Sequence, residues 1–218
     1  MDKFIFNKVV HKGGTDFEMK IKTGNPSVQD FLDDMNGFIE NSDLPRLWPP
    51  ASSKCYGCDL CCHEPLPVTS IDVENICKAL HIGFIESFKY LWIEVQGNVV
   101  DITLKRKNGQ NCIFLNKEGT CTIYNARPFL CQTYICCNVP DSLNEIRSQI
   151  VNQGMDELVR KAIIAFNSQG NAIPVNRGST RNINLADWPR NRFTDKNMYT
   201  KIYLKDILSS DLLRVLLL

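Results

Sequence analysis

Residues 55–62 read CYGCDLCC, and this run of four cysteines decides how the rest of the chain is interpreted. Two residues separate Cys55 from Cys58 and Cys58 from Cys61, a spacing that lets a short loop bring successive thiolates to one metal ion or one face of a cluster. Cys61 and Cys62 are adjacent, so their side chains diverge and do not easily serve one compact site. We expect one of them to reach a second site or to be buried in the core.

A second group of cysteines lies downstream, at Cys112, Cys121, Cys131, Cys136 and Cys137, and the chain has 10 cysteines in all. A disulfide framework, a metal site and buried thiols are the ordinary explanations for such a number. The N-terminus is charged too early for a signal peptide, and no apolar stretch is long enough to cross a bilayer. We therefore expect a cytoplasmic protein whose thiols stay reduced, and so many thiolates in one region favour bound metal because they would otherwise repel each other.

The overall composition excludes several classes of protein. With 218 residues, of which 44% are hydrophobic and 22% charged, the chain has an ordinary globular composition rather than that of a disordered one. Its 25 basic and 24 acidic side chains leave a formal net charge of +1. This balance gives no electrostatic reason to expect a nucleic acid or a membrane surface as the main partner.

The sequence around the cysteines predicts an α+β fold, in which helices and short antiparallel strands surround a loop-built cysteine metal-binding core. Alternating apolar residues predict an N-terminal hairpin with strands near residues 4–10 and 17–21. Three regions are expected to pack as one globular unit. They are a hairpin and helix at residues 1–50, a cysteine-cluster module at residues 51–140 and a helical part at residues 141–218.

Helical periodicity and capping patterns predict helices in several places. One begins at the Thr69 and Asp72 cap, and a second carries apolar residues from Phe84 to Trp92. A long helix begins at a capping box of Ser142 and Glu145 and is interrupted at Gly154. A last helix covers about residues 196–216.

Four motifs together resemble the CxxCxxCC cysteine-cluster family of zinc- or iron-chelating domains. They are the run at residues 55–62, the Cys-x-Phe-Leu at Cys112, the Gly-x-Cys-x-Ile-Tyr around Cys121 and the Arg-Pro-x-x-Cys that ends at Cys131. The matched stretch ends near Cys137 and is less than half of the chain. The resemblance implies a chelating module, with metal ions as its partners.

The same cluster is distantly similar to that of the flagellin lysine methylases. This similarity implies an iron–sulfur protein that acts on lysine with S-adenosylmethionine (SAM). The sequence has no glycine-rich strand-to-helix turn of the kind that seats SAM in many methyltransferases, so it departs from that pattern.

The predicted metal ligands are Cys55, Cys58, Cys61, Cys62, Cys112, Cys121, Cys131 and Cys136, with Cys137 as the alternative to the last of these. Two interpretations of the metal remain open. Three cysteines in a two-residue stagger favour an iron–sulfur cluster of the 4Fe–4S type, whereas all-thiolate ligation also suits one or two structural zinc ions. Zinc is thus the alternative metal or a second one.

Several neighbours of the cysteines are candidates for a functional role. His63 is either a ligand or a side chain that donates a hydrogen bond to one, and Cys77 is expected in the core. Arg127 is expected to lie near an anionic cluster or to bind a substrate carboxylate, with an ordinary ion pair as the alternative. Arg127 and Tyr124 are the candidate catalytic residues, although Tyr124 and Tyr134 are also consistent with packing roles.

Two classes of function follow from these residues. One is an enzyme, an iron–sulfur-dependent transferase resembling a methyltransferase, that modifies a peptide or a small molecule. The surplus of cysteines favours it, because an iron could keep an open coordination position. The other is a chelating module without catalysis, which would serve as a metal store, a sensor or a structural zinc domain.

Overall fold

The computed structural model describes residues 2–12, 14–41, 59–179 and 183–217. The helices are α1 (Val28–Asn41), α2 (Ser70–Leu80), α3 (Phe84–Ser87), α4 (Phe129–Thr133), α5 (Asp141–Asn167), α6 (Leu204–Ile207) and α7 (Ser210–Leu216). The strands are β1 (Phe4–His11), β2 (Gly14–Ile21), β3 (Leu91–Gln96), β4 (Val99–Leu104), β5 (Arg106–Lys107) and β6 (Asn111–Cys112). They form three two-stranded antiparallel pairs in chain order, so the predicted α+β class is confirmed.

The N-terminal hairpin packs on α1. Phe4 lies opposite Ile21 and Phe6 opposite Met19 in the β1–β2 register, so the alternating apolar residues share one face. The carboxylate of Asp34 on α1 accepts hydrogen bonds from the backbone N–H groups of Lys3 (2.7 Å) and Phe4 (2.9 Å). These contacts hold the first strand against the helix, and the hairpin predicted from the sequence is confirmed.

The predicted helix from Phe84 to Trp92 is wrong in its second half. Helix α3 ends at Ser87, and β3 begins at Leu91 with buried and exposed residues in alternation. Leu91 pairs with Leu104 and Ile93 with Ile102 on β4. Pairing with β4, the next strand across a two-residue turn at Gly97 and Asn98, therefore overrides the short helical periodicity.

Helix α5 is the longest element and runs without a break through Gly154. The predicted interruption at this glycine is therefore wrong, and so is the predicted capping box, because α5 begins after Pro140 with no side-chain cap. Its buried residues contribute to both hydrophobic clusters of the structure. Leu143, Ile146 and Ile150 lie in the cluster that contains the hairpin and α1, and Leu158, Val159 and Ala162 lie in the one that contains β3 and β4.

The C-terminal part contains short helices rather than the one helix predicted over residues 196–216. A 3-10 turn at Tyr199–Lys201 is followed by α6 and α7. Between the turn and α6 the chain is extended, because Tyr203 pairs with Ser27 and the N–H of Leu204 donates to the carbonyl of Pro26 (3.0 Å). A hydroxyl cap at Ser209 then begins α7.

Gly154 is required by close packing rather than by backbone conformation. A Cβ atom at this position would lie 2.5 Å from Cγ2 of Thr69 and 3.1 Å from Cε1 of Phe193. Gly37 in α1 is the matched control, since a Cβ there would meet nothing within 4 Å.

We expect Gly154→Ala to lower the free energy of unfolding by about 1–3 kcal/mol, because overpacking a buried contact outweighs the better helix propensity of alanine. Gly37→Ala should raise it by about 0.5–1 kcal/mol. Urea unfolding followed by circular dichroism measures both. Stabilisation by Gly154→Ala equal to that by Gly37→Ala would contradict the packing argument.

Candidate metal centre

Five cysteines line one cavity of the protein. They are Cys61, Cys62, Cys112, Cys121 and Cys131. The cavity has a volume of about 40 Å³ and is partly open to solvent. Its other walls are largely apolar and include Leu66, Leu104, Phe114, Leu115 and Ile123.

Four separate pieces of local structure bring these cysteines together. A 3-10 turn at Leu60–His63 carries Cys61 and Cys62. Cys112 ends β6, where it lies opposite Arg106 of β5. Cys131 lies in the middle of the short helix α4, which follows Pro128.

A compact loop positions Cys121. Its backbone pairs with Leu115, and the intervening turn is organised by Asn116, whose side-chain carbonyl accepts hydrogen bonds from the N–H groups of Thr120 (2.8 Å) and Glu118 (3.1 Å). Gly119 in this turn has a φ of 76°, which favours glycine. This turn places Cys121, in the fourth segment that lines the cysteine cavity.

Four of these thiols, those of Cys131, Cys61, Cys62 and Cys112, lie close enough along the cavity to affect each other's ionisation. Hydrogen bonds from Cys131 and then Cys62 lower the pKa of Cys61 to about 3, with a smaller contribution from the charge of Arg127. A hydrogen bond from Cys62 lowers the pKa of Cys112 to about 7. The pKa values of the other two thiols rise. Interaction with Cys112 raises the pKa of Cys62, and interaction with Cys61 raises the pKa of Cys131.

Two arginines add positive charge to the wall of the cavity. The guanidinium of Arg127 lies 3.8 Å from the ring centroid of Tyr124, and its Nε donates to the carbonyl of the same residue (3.2 Å). Arg106 donates to the carbonyls of His63 (2.8 Å) and Gln110. A cation beside thiols favours their ionised form, and the charge of Arg127 adds to the effect of the neighbouring thiols that lower the pKa of Cys61. At Cys121 burial has the larger effect and raises the pKa, and the charge of Arg127 only partly opposes it.

The candidates Arg127 and Tyr124 therefore both lie at the cysteine cavity. Among the described residues, no carboxylate forms an ion pair with Arg127, whose charge faces thiols instead. The sequence did not point to Arg106. Only its pairing with Cys112 across a two-residue strand reveals it, and so short a strand has no periodicity to recognise.

Other predicted ligands lie elsewhere or outside the described residues. Cys55 and Cys58 fall within residues 42–58, which the structure does not describe. Cys136 and Cys137 follow α4 and are not among the residues that line the cavity, and the thiol of Cys137 donates to the carbonyl of Asn138 (3.3 Å). Which of the two completes a ligand set stays a prediction.

Two further residues of the cysteine region face away from the cavity. The Nε2 atom of His63 lies 3.3 Å from the carboxylate of Asp59, and the imidazole is about half exposed. Cys77 is partly buried against the β3–β4 cluster, as expected for a packing residue, and its thiol lies 3.8 Å from the carbonyl of Gly83.

The cavity residues fit a metal that prefers sulfur. Thiolates are the ligands that zinc and iron–sulfur clusters share, and the cavity collects them beside two cations. Within the described part of the chain, no three His, Cys, Asp or Glu side chains have the geometry of a finished metal site. The metal would be held by the cavity thiols of Cys61, Cys62, Cys112 and Cys131.

The fold and the cavity define a cysteine-rich α+β protein with a thiol-lined site. In agreement with the predicted resemblance, residues 54–149 match the model of the CxxCxxCC family, described as a "Putative zinc- or iron-chelating domain". No curated protein and no solved structure shows significant similarity to the chain. The similarity to flagellin lysine methylases therefore stays a prediction. None of the helices in the described residues combines the length and apolar character that crossing a bilayer requires.

Proposed function

We propose that the protein binds an iron–sulfur cluster, of the 4Fe–4S type, through thiolates gathered at the cysteine cavity. The observation that carries this proposal is that one cavity gathers Cys61, Cys62, Cys112, Cys121 and Cys131 from four separate segments of the chain, beside Arg106 and Arg127. Sulfur atoms held this closely would repel each other once ionised, unless a cationic centre lay among them. The staggered cysteines at positions 55, 58 and 61 favour a cluster over a mononuclear site.

A chelating module that holds zinc is the second candidate. All-thiolate ligation suits zinc as well, and the family description names both metals. In that case the metal would hold together a loop-rich segment that joins α2, β6 and α4, and it would contribute folding energy directly.

If the protein binds an iron–sulfur cluster, it would also be suited to catalysis. The cavity extends beyond the sulfur atoms along apolar walls to Arg127, whose guanidinium would suit a carboxylate of a small molecule or peptide. SAM-dependent methyl transfer is the reaction that the distant similarity implies. A change in the absorption or electron paramagnetic resonance spectrum of the loaded protein on addition of SAM would support it, and an unchanged spectrum would count against it.

Anaerobic purification followed by analysis of iron, acid-labile sulfide and zinc tests the proposal. We expect iron and sulfide in near-equal amounts, and a brown protein that bleaches on reduction or on exposure to air. If the protein contains zinc and no sulfide, the iron–sulfur proposal is wrong and the zinc-binding module is the correct candidate. A folded protein that contains neither metal would overturn both.

A further inference from the structure

A buried polar network lies directly behind Cys131. The carboxylate of Asp72 on α2 is 1% exposed, and the hydroxyl-bearing side chains of Thr69 and Tyr199 are equally buried. One carboxylate oxygen, Oδ2, accepts the N–H of Thr69 (2.9 Å), and the N–H of Asp72 donates back to the hydroxyl of Thr69 (3.1 Å). These two bonds form the capping box of α2 that the sequence predicts.

The other carboxylate oxygen has a different task. Oδ1 of Asp72 accepts the N–H of Phe129 (2.8 Å) and the hydroxyl of Tyr199 (2.7 Å). The cap of α2 requires neither bond. Phe129 begins α4, two residues before Cys131, while Tyr199 comes from a turn outside the residues that match the CxxCxxCC family.

The hydrogen bonds of the network are mutually consistent. The hydroxyls of Thr69 and Tyr199 lie 2.6 Å apart. Since Tyr199 donates to Asp72, the hydroxyl of Thr69 donates to Tyr199. Every donor then has an acceptor, which is the condition for burying so many polar atoms without a large cost.

The far end of α4 is also held by a charged side chain. The guanidinium of Arg147 on α5 donates to the carbonyl of Thr133, and its Nε donates to the hydroxyl of the same residue (3.3 Å). That hydroxyl in turn donates to the carbonyl of Phe129 (3.1 Å). Five residues are too few to form a stable helix alone. Helix α4, which carries Cys131, is instead fixed at both ends by side chains from other elements.

We infer that Asp72 and Tyr199 are positioning residues for the Cys131 thiol, which they hold in contact with Cys61 through the N–H of Phe129. The inference rests on the proposed function in that the positioned thiol is taken to be a metal ligand. It also assigns a task to the C-terminal part, because Tyr199 makes the metal site depend on residues beyond the chelating module. Partners that orient a ligand in this way commonly change metal affinity when they are replaced.

Asp72→Asn is the sharpest variant. The amide has the shape of the carboxylate but only one acceptor oxygen, so it must present an N–H to the N–H of Thr69 or to that of Phe129. Tyr199→Phe is the milder variant, since it removes one hydroxyl and keeps the bond from Phe129 to Asp72. Tyr203→Phe, at an exposed tyrosine, is the matched control for it. Ile202→Val, a buried truncation next to the turn, is the control for general destabilisation.

The first readout is the geometry of the thiols in metal-free, reduced protein. Dibromobimane links two thiols that lie close together, and peptide mapping identifies the pair. We expect Asp72→Asn to lose most of the Cys61–Cys131 cross-link and Tyr199→Phe to lose part of it. The Cys62–Cys112 cross-link should persist in both, because that contact does not involve α4.

The second readout is the rate at which the loaded protein releases metal to a chelator. We expect release from Asp72→Asn to be roughly 10-fold faster or more, a smaller increase for Tyr199→Phe, and rates close to the unmodified ones for the two controls. Unchanged cross-linking and release in both variants would overturn the inference. The inference would also be overturned if Ile202→Val lost the Cys61–Cys131 and Cys62–Cys112 cross-links to the same extent as Asp72→Asn and Tyr199→Phe. If no form of the protein binds metal, the proposed function fails, and the cross-links of the metal-free protein still decide the positioning role.

Discussion

Cys61→Ser is expected to abolish stable metal binding. Cys61 is the cavity thiol whose pKa its neighbours Cys131 and Cys62 lower most strongly, to about 3. It is also the end of the staggered run that begins at Cys55. A serine hydroxyl remains protonated at neutral pH and is a poor ligand for soft metals, so its oxygen does not replace the thiolate.

The loss of affinity should exceed the roughly 10–100-fold that changes in the surroundings of metal ligands cause, because this substitution removes a ligand itself. Stability should fall with it, since the binding energy of a structural metal is also folding energy. Metal content per protein after gel filtration, together with the thermal midpoint, measures both effects.

Cys77→Ser is the matched control for this prediction. Cys77 is a partly buried cysteine on α2 that does not line the cavity. Its replacement should leave the metal content unchanged. Full metal content in Cys61→Ser, or equal losses in the two variants, would show that Cys61 is not a ligand.

Among the glycines that the structure describes, Gly178 is the one whose replacement by alanine is expected to destabilise the protein most. The segment at residues 176–178 runs beside β3, where the N–H of Val95 donates to the carbonyl of Arg177 (2.9 Å) and the N–H of Asn176 donates to the carbonyl of Ile93 (2.9 Å). Gly178 has a φ of 93°, and a Cβ there would lie 2.0 Å from the carbonyl oxygen of Val95. Backbone atoms of a paired strand cannot move away, so the segment must detach.

Backbone strain and the lost hydrogen bonds together should lower the free energy of unfolding by about 3 kcal/mol. Gly97→Ala separates the two contributions, because Gly97 also has a positive φ (61°) but a Cβ there would meet nothing within 4 Å. It should lose only about 1–2 kcal/mol. Urea unfolding measures the difference in stability between the two variants. Faster hydrogen exchange of the Val95 amide in Gly178→Ala would show that the contact with β3 is lost. Equal losses in the two variants would contradict the close approach to β3.

The parts of the structure that follow from local sequence were predictable. The N-terminal hairpin follows from the alternation of Phe17, Met19 and Ile21, and the cap of α2 follows from Thr69 and Asp72. The grouping of Cys112, Cys121 and Cys131 near Cys61 was expected from the resemblance to the CxxCxxCC family.

The parts that depend on contacts between distant segments were not predictable. Nothing in the residues around Tyr203 shows that Ser27 will hold it in an extended conformation. The second task of Asp72 was hidden for the same reason. Its bonds to Phe129 and Tyr199 span 57 and 127 residues, and spacing along a chain carries no information about such partners.

The domain division at residues 50 and 140 stays a prediction. The structure nevertheless suggests why a chelating module would be joined to the flanking parts. Helix α5 begins inside the family-matched residues and continues beyond them, and it packs against α6 and α7. The same helix supplies Arg147, which holds the end of α4.

The most direct test of a thiolate metal centre is the alkylation of freshly isolated protein before and after removal of metal with a chelator under reducing conditions. Peptide mapping should show that Cys61, Cys62, Cys112 and Cys131 are modified only after the metal is withdrawn, whereas Cys77 reacts equally in both states. Modification of those four thiols to the same extent in both states, or their recovery as disulfides, would contradict the metal centre.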